Sequence, residues 1–195
     1  MSDLELSLTL QYYKVYKIVE LIKIKDKEFK KYISAKELDE RIVELSQEIN
    51  NDYVSKEILF IIILNGAFMF AADLLKRISG NHKISFIKVS SYHGVESSGS
   101  INTLIGLNEE IWNKDVIIIE DIVDTGITLS NIIRDLNLKK PRSLEICSLF
   151  FKPQSFKADF DVRYKGFDIS NEFIVGYGLD YDGYGRNLSE IYQLK

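Results

Sequence analysis

The run Val116-Ile117-Ile118-Ile119-Glu120-Asp121-Ile122-Val123-Asp124-Thr125-Gly126-Ile127-Thr128 decides how this chain folds. Four consecutive β-branched residues, Val116 to Ile119, suit a strand covered on both faces, the central strand of a parallel sheet. Glu120 and Asp121 follow, where that strand is expected to end. Leu129, Ile132, Ile133 and Leu136 then recur at i, i+3, i+4 and i+7, the apolar stripe of a helix lying on the sheet. Strand, loop and helix form half of a βαβ unit, and open α/β sheets bind ligands beyond the carboxyl ends of their strands.

The loop chemistry follows from that placement. Asp124-Thr125-Gly126-Ile127-Thr128 sits at a helix N-terminus, where unpaired N–H groups and the helix dipole favour an anion. Gly126 lets the backbone approach closely, and the hydroxyls of Thr125 and Thr128 add donors. A monoester phosphate fits such a cup. Glu120 and Asp121 would repel a phosphate but suit donating vicinal hydroxyls or a Mg²⁺ ion. Phosphate at one end and hydroxyls at the other describe a ribose 5-phosphate.

Outward from this run, Ile58 to Leu64 reads as a second buried strand, Phe68 to Ile78 as a helix and Ile84 to Val89 as a third strand. Ser34-Ala35-Lys36-Glu37 is a capping box opening a helix with the stripe Leu38, Ile42, Leu45 and Ile49. Residues 22 to 33 alternate and break at Asp26, as an exposed hairpin or edge would. Ser90 to Gly99 is polar, with too little apolar surface to pack firmly, and is expected to be a lid. Residues 1 to 20 leave helix and disorder followed by a strand both open. The turn Asn65-Gly66 follows the second strand, so it too should open at the carboxyl edge of the sheet, with backbone N–H groups turned to an anion.

Composition agrees. A chain of 195 residues with 46% hydrophobic content and only two prolines reads as one α/β domain. The lone Cys147, inside an apolar run, points to a reduced compartment and a packing role. An acidic start and the lack of a long apolar run lead us to expect a cytoplasmic protein without a membrane span. Net charge is −4 with dispersed Lys and Arg, so no nucleic-acid partner is expected. His82 and His93 lack partners at metal spacing, so zinc is not expected. Trp112 and the eleven tyrosines follow no nucleic-acid pattern.

The opening run resembles the phosphoribosyl pyrophosphate (PRPP) signature of the type I phosphoribosyltransferases, and other segments resemble their hypoxanthine-guanine branch. Leu64 to Phe70 is similar to the first pyrophosphate loop, Ser91-Tyr92 to the mobile lid and Phe150-Phe151-Lys152-Pro153 to the base-recognition strand. Phe173 to Tyr181, with Arg186, is similar to the C-terminal segment. The match runs in order from about residue 22 to the end. It implies a Rossmann-like open, mainly parallel sheet with helices on both faces and a small hood. We expect a single domain over 1–195, its core about 34–152 and its hood from about 20–33 and 153–195.

The resemblance also implies roles. Transfer of ribosyl 5-phosphate from Mg-PRPP to N9 of a 6-oxopurine would give the nucleotide and pyrophosphate. Asp124 is the expected general base toward purine N7, and Glu120 and Asp121 hold the ribose diol or metal. Thr125, Gly126, Ile127 and Thr128 take the 5-phosphate. Asn65 and Gly66 take pyrophosphate, with Arg186 as a guanidinium partner and Asp180 as a metal contact. Lys152 would donate to the 6-oxo group, which adenine lacks; Phe173 would stack on the purine and the Ile174 backbone would read its edge. Asn65 and Ile127 depart from a pattern that often has basic residues there, so more reliance on Mg²⁺ and Arg186 is expected, along with a homodimer or homotetramer. Left open are a preference for xanthine or another base, and a PRPP-sensing regulator on the same fold.

Overall fold

The structure, a computed structural model, describes residues 21–90, 102–105, 107 and 109–195. Expectations for residues 1–20 and for the lid residues Ser91 and Tyr92 fall outside these. A hairpin of β1 (Leu21–Ile24) and β2 (Lys27–Ile33) opens the described chain, turning at Asp26 as the broken alternation predicts. Helix α1 (Ala35–Asp52) starts on the expected capping box: Ser34 Oγ accepts from Glu37 N, and Glu37 Oε2 accepts from Ser34 N. Its stripe Leu38, Ile42, Leu45 and Ile49 is wholly buried.

Strand β3 (Ile58–Leu64) leads into α2 (Phe68–Leu75), then β4 (Lys83–Ser90) and β5 (Asn102–Ile105). Helix α2 stops at Leu75, short of the expected Ile78, because its end tightens: Arg77 N and Ile78 N each reach back three residues, to Leu74 O and Leu75 O. The side chain of Asn50 on α1 caps the unwound turn, donating to Arg77 O and accepting from Ser79 N. Next come β6 (Asp115–Val123), α3 (Ile127–Asn137), β7 (Ser143–Phe151) and β8 (Tyr164–Asp168).

The larger sheet has the order β5-β4-β3-β6-β7-β8. Five of its strands, β3, β4, β6, β7 and β8, run parallel, and β5 is antiparallel at one edge. Strand periodicity sorts the core into two layers. Phe60, Ile62, Ile117 and Ile119 pack with α1 and α2 on one face. Leu59, Ile61, Val116 and Ile118 pack with α3 on the other. Helices therefore cover both faces, as the continuous apolar strands require.

A second sheet, β1-β2-β10-β9, is the expected hood; β9 (Ile174–Val175) and β10 (Ile191–Leu194) are antiparallel. Its small core centres on Phe29, Val175 and Tyr192. Cys147 is a free thiol buried in the main core, and burial pushes its pKa up, away from thiolate chemistry. His82 is likewise structural, its ring nitrogens meeting Ile58 N and Ser79 O. Among the described residues, no helix is long and apolar enough to cross a membrane.

Candidate active site

Strands β3 and β6 are neighbours whose chains leave in opposite directions, β3 continuing toward β4 and β6 toward β7. A doubly wound sheet opens a ligand crevice at such a reversal. Pairing of β6 with β3 stops at Ile119, whereas its pairing with β7 continues to Val123. Glu120 and Asp121 therefore lie inside the strand, not beyond its end as their polarity suggests. They line the crevice because β3 has already turned away at Asn65-Gly66.

A cavity of about 270 Å³ results, lined by Asn65, Gly66, Glu120, Asp121, Thr128, Asp180 and Arg186 among others. Four sequence segments thus meet at one place. The Leu64-Asn65 peptide is cis. An ideal Cβ on Gly66 would lie 1.5 Å from Asp121 Oδ2, so only glycine fits there with this carboxylate in place. From the other side, a Cβ on Gly178 would lie 2.0 Å from Gly66 O. The Asn65-Gly66 turn is held between Asp121 and the C-terminal segment.

The two acids are under electrostatic load. Burial pushes the Glu120 carboxyl well up, and the charge of Asp121 pushes it further; among the described residues Glu120 Oε2 is buried without a hydrogen-bond partner. Burial also raises Asp121, although Ile122 N donates to its Oδ1 at 2.8 Å and opposes the shift. An orphaned acceptor beside a cavity is a place for a donor or a cation. Sugar hydroxyls fit, and so does Mg²⁺. Among the described residues no cluster of three or more His, Cys, Asp or Glu could hold a metal alone.

A tight loop, Asp124 to Thr128, opens α3. Gly126 caps the helix in the left-handed conformation, φ +78°, and a Cβ there would meet Phe156 and Ala158 at under 3 Å. Thr125 Oγ1 accepts from Ile127 N at 3.4 Å, and the Thr125 carbonyl accepts from Lys157 N. Ile127 is 60% exposed at the mouth of this loop, an apolar side chain among donors.

Beyond the loop lie the residues expected to meet the base. Lys152, 8% exposed, donates from Nζ to Asp124 Oδ2 at 3.0 Å and to the Asn171 carbonyl at 3.5 Å. Asp124 and Lys152 were read from separate motifs; the structure makes them an ion pair. Ile174 lies on β9, the edge strand of the hood. Leu194 N donates to Phe173 O, and Val175 pairs with Tyr192. Antiparallel alternation then turns the N–H and C=O of Ile174, between them, away from β10 toward the open edge. Phe173 is 43% exposed, its ring 6.4 Å from Phe29 and 6.0 Å from Tyr181.

Arg186 is less free than the sequence suggests: its Nη2 pairs with Asp180 Oδ1 at 2.6 Å and its Nη1 donates to Gly178 O at 2.6 Å. Asp180 Oδ2 also accepts from Gly183 N. Sequence reasoning missed a supporting group. Ser155 Oγ donates to Asn171 Oδ1, and the Tyr177 hydroxyl donates to Asp73 on α2. No local pattern marks these pairs, because each joins segments distant in the chain.

This fold and crevice define a class. The chain belongs to the phosphoribosyl transferase domain family, whose model matches residues 34–182. Within it, the chain is similar to proteins named for hypoxanthine and guanine. It is 47% identical to the hypoxanthine-guanine phosphoribosyltransferase of Staphylococcus aureus (strain MW2), over 78% of this chain and 86% of that one. To the Mycobacterium tuberculosis (strain H37Rv) enzyme of the same name it is 42% identical, over 82% of each. A solved hypoxanthine-guanine phosphoribosyltransferase from Bacillus anthracis, with a HEPES molecule in its active site, superposes with TM-score 0.79 at 39% identity, covering 85% of this chain and 96% of that one.

Proposed function

We propose that this protein is a purine-salvage phosphoribosyltransferase converting hypoxanthine, and also guanine, with PRPP to IMP or GMP and pyrophosphate. The observation that carries this is the crevice between β3 and β6. There Asp121 and Glu120, whose Oε2 has no partner among the described residues, stand between the Gly126 loop and the Asn65-Gly66 turn, with the Asp124–Lys152 pair beyond. Thr125 to Thr128 hold the 5-phosphate, and the two acids accept from the ribose 2- and 3-hydroxyls. Asn65, Gly66 and Arg186 receive the pyrophosphate.

A 6-oxopurine entering beside Phe173 meets a preformed donor and acceptor. Lys152 donates to O6 and the Ile174 backbone reads the purine edge. Asp124 takes the N7 proton as N9 bonds to C1 of the ribose and the bond from C1 to the pyrophosphate oxygen breaks. The carboxylate thereby gains the proton and the purine keeps the electron pair that opposes positive charge on the sugar. Positioned proton transfer of this kind contributes about 10² to 10⁴ in rate. Asp180 and the Glu120-Asp121 pair would hold Mg²⁺ together with substrate oxygens, and the bound ion would supply charge neutralisation of pyrophosphate.

Adenine presents an amino donor where Lys152 needs an acceptor, so it is rejected. A cytoplasmic homodimer or homotetramer completes the proposal, supported by the buried free thiol of Cys147 and by exposed apolar side chains such as Ile84, Phe86 and Trp112. The test is incubation of purified protein with Mg-PRPP and each of hypoxanthine, guanine, xanthine and adenine, following nucleotide formation. We expect IMP and GMP; no nucleotide from either base refutes the proposal.

A further inference from the structure

The loop from Asp180 to Arg186 carries two proposed site residues, yet its outer side is gripped from far away in the chain. The Tyr181 hydroxyl donates to Asp26 Oδ1 at 2.8 Å, across 155 positions. Asp26 sits in the β1–β2 turn, between two lysines that also face this loop. Lys25 pairs with Asp182 and stands 5.5 Å from the centre of the Tyr184 ring. Lys27 stands 5.7 Å from the centre of the Tyr181 ring. Backbone bonds between Tyr181 and Tyr184, at 2.9 and 3.0 Å, close the loop on itself.

On its other side, the Tyr181 ring meets Phe173 edge-on, with centroids 6.0 Å apart and planes at 80°. Both rings lean on Phe29, at 6.1 Å from Tyr181 and 6.4 Å from Phe173, and Phe29 is fully buried. Edge-to-face geometry is directional, so the tilt of Phe173 depends on where Tyr181 stands. The residue before Tyr181 is Asp180, whose carboxylate holds Arg186.

We infer that Tyr181, clasped by Asp26, is a positioning residue that couples the purine end of the crevice to its pyrophosphate end. One side chain sets the ring offered to the base and the backbone of the loop offering Asp180 and Arg186. When Tyr181 shifts, both ends lose register together. The inference rests on the proposed function, which places purine at Phe173 and pyrophosphate at Arg186. The clasp lies on the surface and contributes little to global stability. Its effect is therefore read in kinetics.

The experiment measures KM for hypoxanthine and KM for PRPP in Asp26→Ala, Asp26→Asn and Tyr181→Leu. Asp26→Ala should raise both KM values in parallel by about three- to fivefold, with kcat changed less than about twofold. Asp26→Asn keeps an acceptor for the tyrosine hydroxyl and should restore both values. Tyr181→Leu, which also removes the ring, should raise both by about tenfold. A rise for one substrate alone, no rise for either, or Asn behaving like Ala overturns the coupling. Wild-type protein that forms no nucleotide sinks the underlying function and this inference with it; an active wild type whose variants behave normally sinks the inference alone.

Discussion

Replacing Gly66 with Ala tests the geometry of the crevice directly. Its φ lies outside the left-handed region, so Ala is not opposed by backbone conformation. What opposes it is Asp121: the new methyl would stand 1.5 Å from Oδ2 and 2.4 Å from Cγ, against ordinary contacts of 3.4–4 Å. The carboxylate must swing about 2 Å aside, breaking its bond from Ile122 N and leaving the proposed diol site. Overpacking of this kind costs about 1–3 kcal/mol. For a domain of this size that lowers Tm by roughly 2–12 °C. Misplacement by an ångström or more costs catalysis on the order of 10²-fold, so kcat/KM for PRPP should fall about a hundredfold. KM for the purine should change less than about threefold, since Lys152 and Phe173 are untouched. Gly80→Ala is the control: it is not among the residues lining the crevice, and its φ is +107°. It should cost about 1–3 kcal/mol of strain and leave the PRPP term alone. Thermal melts and steady-state kinetics on both variants decide the matter. Wild-type kcat/KM for PRPP in Gly66→Ala would refute the placement of Asp121 against this turn.

Three further outcomes are expected. Asp124→Asn keeps an acceptor for Lys152 but cannot take a proton, so turnover should drop more than about tenfold while PRPP affinity stays; unchanged turnover in a stopped-time assay removes Asp124 from the role. Asn65→Lys or Ile127→Lys places a cation at the anion crevice and should tighten pyrophosphate, measured as product inhibition, by about three- to tenfold at low salt, fading as salt rises; an unchanged inhibition constant argues against anion binding there. Asp115, buried and held by Arg142, has its carboxyl lowered chiefly by that hydrogen bond. A lowered folded pKa means its stabilisation is present above the unfolded value of 3.8 and is lost as pH falls through the folded one. Urea melts of wild type and Asp115→Asn should differ by about 1–3 kcal/mol at pH 7 and converge on acidification; a gap constant with pH disproves the linkage.

Much of this protein was legible along the chain because the signals are local. The stripe of α1, its Ser34–Glu37 box and the buried strands β3 and β6 follow from periodicities of 3.6 and 2, which neighbours in sequence encode. Gly126 and its threonines likewise announce a helix start. Polarity misplaced one boundary: Glu120 and Asp121 look like the end of a strand, yet β7 carries β6 on to Val123. Which strands become neighbours is a matter of packing and crossover, and it decides that the crevice opens between β3 and β6. Packing also determines that Asp124 meets Lys152, that Arg186 meets Asp180, and that Tyr181 meets Asp26. Those contacts join positions whose spacing carries no period, so only the folded chain, by bringing the segments within hydrogen-bond reach, could create them.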